Sequence, residues 1–306
     1  MPELPEVETI KRSLQKSIVG KKITGVQVLL AKQFQGKRED VLGAKITGIE
    51  RRGKILIISL SNGKNLLIHF KLTGQLVWIP KAGERATLGH PIPFAGAELP
   101  AKTTHIIFEI DGPPSPKASA RQGGRLFFND LRQFGWIKLV DSRQVSAISN
   151  QLGIEPFDEE FTVEYLEKIF SKTSKPIKLV LMDQGKIAGI GNIYANEALW
   201  EAGIDPRTPA KKLPARNASR SEAGGSNLAI EQLREAIIKI LEDGLKYGGS
   251  SAKDEAYIKP TGEAGEYQKH FRVYQRAGQA CPRCGGKIQR IELGGRGTFL
   301  CPGCQK

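Results

Sequence analysis

The chain has 306 residues, with 46 Lys+Arg against 32 Asp+Glu and a formal net charge of +14. Apolar types make up 40% and aromatics 7%, enough for more than one core and, at this length, for roughly two domains. The longest apolar runs, such as Ile55–Leu60 and Leu66–Phe70, stop at six residues or fewer; a bilayer span needs about 20, which excludes an integral membrane helix.

The N-terminus is acidic from Glu3 onward and has no apolar h-region, so it does not read as a secretory signal. The positive excess favours a polyanion, either nucleic acid or an anionic membrane surface. It is uneven: +9 over residues 1–130, −2 over 131–268 and +7 over 269–306. Such a clean division by segment favours a polyanion partner over a merely solvated surface.

The first predicted element is a helix from Glu3 to about Lys16, where Val7, Ile10, Leu14 and Ile18 make one apolar stripe. Short Ile/Val/Leu-rich strands follow at Ile23–Leu29, Ala44–Arg51, Lys54–Leu60, Asn65–Phe70 and Gln75–Ile79, then at Thr104–Ile110, Leu126–Asn129 and Gly135–Val140. Ser61-Asn62-Gly63-Lys64 is a hairpin signal. Pro80–Pro100 and Gly112–Gly124, rich in Pro, Gly, Ala and Ser, read as loops. Gly153–Phe157 reads as a linker. Helices are predicted at Thr162–Ser171, Ile177–Asp183, Gly191–Ala202 and Leu228–Tyr247, with Leu213–Ser226 as a low-complexity connector and a loop from Gly248 to Tyr267. The fold class is α+β: a helix and a β-sandwich, then a helical domain.

All four cysteines lie near the end. Cys281, Cys284, Cys301 and Cys304 form two C-x-x-C pairs separated by sixteen residues. Two such turns complete a tetrahedral four-sulfur site with zinc-ribbon spacing. Disulfides are disfavoured because the rest of the chain has no cysteine. Iron suits the same ligands. The metal's role reads as structural, since a closed four-cysteine shell leaves no position for water.

Loss of Met1 would leave Pro2 with a secondary α-amine of pKa near 8, against about 10.4 for lysine. An unprotonated amine can attack an electrophilic carbon and form an iminium. Glu3 and Glu6 share one face of the first helical turn and can shuttle protons. The competing reading is a helix start, with proline first and acidic residues on the helix dipole.

Taken together, several motifs resemble those of bacterial formamidopyrimidine-DNA glycosylases. They are Pro2-Glu3-Leu4-Pro5-Glu6-Val7-Glu8-Thr9, Arg51-Arg52-Gly53-Lys54, Leu181-Met182-Asp183-Gln184, Gly191-Asn192-Ile193-Tyr194-Ala195-Asn196-Glu197 and the four-Cys ribbon. They occur in the same order from residue 2 to residue 304.

The resemblance implies a bifunctional repair enzyme that removes 8-oxoguanine and formamidopyrimidines from duplex DNA and then nicks the abasic site. Pro2 is the implied nucleophile and Glu3 the general acid at the sugar ring oxygen. Glu6 holds and protonates the site, and Lys54 contacts the phosphate beside the lesion. Lys178, Asn192 and Arg296 are implied phosphate contacts, and Lys253 falls in the loop that covers the everted base. Leu72, Arg132 and Phe134 are implied to fill the gap left by the flipped nucleotide. Here Leu72, Leu131 and Gln133 stand where the family usually has Met, Pro and Arg, and Gly112–Gly124 is longer than its norm.

The implied organisation is a catalytic β-sandwich over 1–150, a helix–two-turn–helix domain over 151–268 and a zinc ribbon over 269–306. One structural zinc, no membrane, a monomeric state and a bacterial cytoplasmic location go with it. Two alternatives are an endonuclease VIII-like enzyme for oxidised pyrimidines, which would open with Gly where Leu4 stands, and a catalytically silent damaged-DNA binder.

Overall fold

The computed structural model describes residues 1–80, 99–111, 123–213, 228–251, 257–261 and 263–306. The stretches read as loops at Pro80–Pro100 and Gly112–Gly124 and the connector Leu213–Ser226 fall mostly outside the described residues, and Lys253 lies outside them. Chain contacts divide into two compact units, Met1–Asn150 with Gly244–Gln268, and Gln151–Asp243 with Lys269–Lys306.

The first unit opens with α1 (Leu4–Ile18), whose predicted stripe of Val7, Ile10, Leu14 and Ile18 is buried. Among the described residues nine strands follow: β1 (Lys22–Val28), β2 (Phe34–Gln35), β3 (Ile46–Arg52), β4 (Ile55–Leu60), β5 (Lys64–His69), β6 (Gly74–Pro80), β7 (Thr104–Asp111), β8 (Gly124–Asp130) and β9 (Trp136–Asp141). They form two sheets, ordered β1-β7-β8-β6 and β2-β9-β5-β4-β3. The pairings are antiparallel except β2 with β9.

Alternate residues carry the core, as a period of two requires. Leu66 and Ile68, Leu76 and Trp78, Ile106, Phe108 and Ile110, and Leu126 and Phe128 join the α1 stripe in one cluster. The four-stranded sheet is apolar on its other face too, where Val77, Ile107 and Phe127 pack with Ile258. That explains the near-continuous apolar runs. Gly63, at φ +79, turns the β4–β5 hairpin. The predicted strand from Lys54 begins one residue later, so Lys54 sits in the β3–β4 turn.

The first unit also contains α2 (Ser142–Ser149), which the sequence reading did not anticipate. It buries no residue fully, and Val145 and Ile148, three apart on one face, are only half-buried. Its start is set by a capping box of Asp141 and Gln144.

The second unit holds α3 (Val163–Phe170), α4 (Ile177–Leu181) and α5 (Asn192–Glu201). Two turns link α4 to α5. Gln184 organises them by donating to the Met182 and Ile190 carbonyls and accepting the Gly189 N–H. All side chains of α5 from Ile193 to Trp200 are buried, so it is the central helix and shows no amphipathic face. The next helix, α6 (Leu228–Lys246), continues the chain back to the first unit. The ribbon pairs β10 (Gln289–Leu293) with β11 (Arg296–Leu300). Among the described residues no helix is long and apolar enough to cross a membrane.

Candidate functional site

The start of α1 concentrates buried acid. Pro2 is buried, and Glu3 and Glu6 are 1% and 0% exposed. They form a capping box at the helix N-terminus. Glu6 Oε2 accepts the Glu3 N–H at 2.8 Å and Oε1 accepts the Ser250 N–H at 2.8 Å. Both oxygens of Glu6 are therefore fixed by backbone donors, which satisfies a charge that burial would otherwise penalise.

Gly249, at φ +82, lets the 248–250 segment approach this closely. A Cβ there would sit 2.9 Å from Glu6 Cγ and 2.9 Å from Tyr257 Cε1. Burial, then the nearby Glu6 carboxylate, pushes the Tyr257 phenol well above its ordinary pKa. A Gly249→Ala variant is expected to lose about 1–3 kcal/mol of stability and to shift Glu6. A thermal melt and an excision rate measure this, and wild-type values in both would refute it.

Lys54 is 5% exposed. Its turn is tied to α1 through Arg51, which donates to Glu8 Oε2 at 3.1 Å and to the Gly53 carbonyl at 3.0 Å. Burial raises the Glu8 pKa, but hydrogen bonds from Arg12, Lys11 and Arg51 outweigh it and hold the carboxyl below its ordinary value. One helix thus carries the acid pair and the anchor of the Lys54 turn. Burial, with Lys71 and Lys54 nearby, holds His69 down to about 3, so it is neutral. Its Nδ1 accepts the Lys71 N–H at 3.0 Å.

Leu72 lies half-buried in the turn after β5, beside buried Thr73. Arg132 and Phe134 follow β8. Phe134 is 54% exposed, so it is not a core residue, and the Arg132 guanidinium lies 5.3 Å over its ring. Leu131, which stands where the family usually has Pro, is also exposed.

In the second unit Lys178, Asn192 and the Arg296 segment converge. Lys178 is 0% exposed, and its ammonium donates to the Gly297 carbonyl at 3.1 Å and to Thr298 Oγ1 at 2.7 Å. Asn192 Nδ2 donates to the same Gly297 carbonyl at 3.2 Å. The helix N-cap is Gly191, so Asn192 is not the cap. Arg296 is exposed at the start of β11.

Two polar residues of α5 that the sequence reading assigned no role complete the junction with the ribbon. Asn196 Oδ1 accepts the Phe299 N–H at 2.8 Å. Glu197 accepts the backbone N–H groups of Arg272, Val273 and Tyr274. Burial outweighs those three donors and pushes the Glu197 carboxyl up. Their signal was in plain view, since both belong to the motif that opens α5.

The four cysteine sulfurs lie within 4.8 Å of one another. Two sulfur pairs are 3.8 and 3.5 Å apart. A tetrahedron with metal–sulfur distances of about 2.3 Å has edges near 3.8 Å, so the donor set fits one zinc-sized ion. Burial works against ionisation of Cys281, but backbone N–H groups of Arg283 and Cys284 and the Trp200 indole, 3.4 Å away, hold it down to about 6. Burial and the neighbouring sulfurs push Cys304 up to about 12. Four clustered thiolates need a cation.

Three family models match successive stretches: the formamidopyrimidine-DNA glycosylase N-terminal domain over residues 1–137, the H2TH domain of the same enzymes over 152–256, and a zinc finger found in FPG and IleRS over 278–306. The Pelotomaculum thermopropionicum protein named formamidopyrimidine-DNA glycosylase is 40% identical over 100% of this chain and 99% of its own length. The chain belongs to the formamidopyrimidine-DNA glycosylase family. Among solved members, a substituted Lactococcus lactis glycosylase bound to Fapy-dG DNA gives a TM-score of 0.80 at 32% identity, covering 100% of both chains. The Lactococcus lactis glycosylase bound to abasic-site DNA gives 0.79 at 32% identity, covering 99% of both. The sandwich, the helix–two-turn–helix and the terminal four-cysteine ribbon are thus the architecture of formamidopyrimidine-DNA glycosylases.

Proposed function

We propose that this chain excises oxidised purines, 8-oxoguanine and formamidopyrimidines, from duplex DNA and then nicks the resulting abasic strand in base excision repair. The observation that carries this reading is the buried acid pair directly after Pro2, with Glu6 gripped by the Glu3 and Ser250 N–H groups. The damaged nucleotide must leave the stack for chemistry on its base. The amine of Pro2, freed of Met1, attacks the sugar C1′ and the base departs. Glu3 delivers a proton to the ring oxygen, the ring opens, and an iminium joins Pro2 to the sugar. The iminium acidifies the neighbouring sugar carbon, so β- then δ-elimination breaks the strand. Water as nucleophile would release the base and stop.

Lys54, Lys178, Asn192 and Arg296 are assigned to backbone phosphates. Leu72, Arg132 and Phe134 are assigned to the gap in the duplex, and Lys253 to the loop over the everted base. Cys281, Cys284, Cys301 and Cys304 hold one structural zinc, which stiffens the ribbon and takes no part in the chemistry. The reading keeps three functional segments, 1–150 for chemistry, 151–268 for backbone and base contacts and 269–306 for the ribbon. The enzyme works as a monomer in the bacterial cytoplasm, on the nucleoid.

Glu3→Gln tests the acid. Excision from an intact lesion duplex is expected to fall by roughly 10²–10⁴-fold, while cleavage of a preformed abasic site keeps much of its rate. Equal loss on both substrates would remove Glu3 from the excision step. The substrate panel should include an oxidised pyrimidine, whose preferential excision would favour the endonuclease VIII-like alternative.

A further inference from the structure

Asp130 is 1% exposed and sits where the two loops carrying Leu72 and Arg132–Phe134 meet. Its Oδ2 accepts from Gln33 Nε2 at 2.8 Å and from the Gly135 N–H at 2.7 Å. Its Oδ1 accepts from the Thr73 hydroxyl. The same Thr73 oxygen accepts the Arg132 N–H at 2.9 Å. One carboxylate therefore joins the loop after β5 to both ends of the loop after β8. The main chain is held as well: the Asp130 N–H donates to the Thr103 carbonyl at 2.8 Å, and His105 Nε2 lies 2.9 Å from the Asp130 carbonyl. A carbonyl only accepts, so that ring nitrogen carries the proton.

Both loops are strained at the residue next to a gap-filling side chain. Lys71 has φ +50 and Gln133 has φ +56. Non-glycine residues hold such backbone only where the surroundings over-determine it. Among the described residues the three donors to the Asp130 side chain, Gln33, Gly135 and Thr73, are neutral, and none of these bonds is an ion pair. A carboxylate suits the place because both oxygens accept, whereas an amide either turns a donor toward the Gly135 and Gln33 donors or forces the Thr73 hydroxyl to accept instead of donate, leaving its proton without this partner.

We propose that Asp130 is a positioning residue that locks the two loops in one register, so that Leu72, Arg132 and Phe134 enter the duplex as a unit. This rests on reading those three as the gap-filling side chains. Asp130 touches no reacting atom. It acts on the eviction of the base and on the comparison of the opposite base.

The test uses the full zinc-loaded chain with Asp130→Asn, Thr73→Val and Phe134→Ala. Excision is measured on a lesion duplex with each of the four opposite bases and on the same lesion in single-stranded DNA. With Asp130→Asn and Thr73→Val, duplex kcat/KM is expected to fall about tenfold or more and opposite-base preference to flatten, while single-strand excision stays within about threefold. Phe134→Ala should give the same pattern. Wild-type behaviour of Asp130→Asn and Thr73→Val beside a defective Phe134→Ala would overturn the role of Asp130 and leave the gap-filling reading standing. Wild-type behaviour of Phe134→Ala would remove that reading and the inference with it. Equal losses on single and double strands in both Asp130→Asn and Thr73→Val would reduce Asp130 to a fold-stabilising residue and overturn the proposal.

Discussion

Borohydride should attach an oxidised duplex covalently to chains that have lost Met1, and to no others. With Met1 in place the Pro2 nitrogen is a tertiary amide, whose lone pair is delocalised into the carbonyl and is not nucleophilic. Removal of Met1 turns it into a secondary amine of pKa near 8, of which a useful fraction is unprotonated at pH 7. That amine would lie beside Glu3 and Glu6, both buried. The intact mass of the trapped adduct should lack the methionine residue. Pro2→Leu, which removes the ring amine and disfavours Met1 cleavage, should lower single-turnover excision by at least the order of 10³-fold, as losing a nucleophile does elsewhere. An adduct that retains Met1 would move the nucleophile to another amine, and the buried Lys54 would be the next to test.

That expectation depends on a segment almost fully legible in the sequence. The α1 stripe, the proline before it and the acid pair are all local, within a single helix and its first residues. Most of the β-strands were legible for the same reason, since a short Ile/Val/Leu-rich run bounded by glycines is a local signal. What failed to show has a common cause. Helix α2 is eight residues long and buries nothing fully, so its stripe of Val145 and Ile148 is too short to mark it. Strand β2 has only two residues and pairs with β9 across more than a hundred residues. The grip on Glu6 comes from a backbone N–H of Ser250, 244 residues away, and a backbone donor has no residue signature.

Charge was a partial guide of the same kind. Lys178 could be named from a motif, but its partners on Gly297 and Thr298 are 119 and 120 residues away. The near-neutral middle segment hides a buried cation that segment charge cannot reveal. The Asp130 network is similar: its Gln33 arm spans 97 residues, and its local bonds come from the Gly135 and Gln133 N–H groups. Residue type marked the candidates. Which of them are clamped, and by what, depended on contacts distant in sequence.

Removing the metal should cost the enzyme its hold on DNA and leave the sandwich folded. A structural zinc in an isolated ribbon supplies about 10–16 kcal/mol of folding free energy at pH 7. The ribbon hairpin provides the Gly297 carbonyl and Thr298 hydroxyl that hold Lys178 and Asn192, and the Phe299 N–H that holds Asn196. Collapse of the ribbon therefore unfastens three side chains of the helical unit and displaces Arg296. Chelation, or Cys301→Ala, should weaken duplex binding by about 10²-fold or more if the phosphate contacts proposed for Lys178, Asn192 and Arg296 are lost together. Among the described residues the core clusters of the sandwich contain no ribbon residue, so a separate melting transition for the first unit should survive. Trp200 reports the event, because its indole N–H donates to Cys281 Sγ at 3.4 Å and its ring lies under the Arg283 guanidinium at 4.2 Å. Its fluorescence should shift on chelation and recover with added zinc. With Cys304 held up to about 12, reloading should release protons, and metal affinity should fall with falling pH. Elemental analysis should find about one zinc per chain. A red iron–thiolate colour would replace zinc by iron. Unchanged duplex binding after proven metal loss would show that the ribbon is not a DNA-binding element.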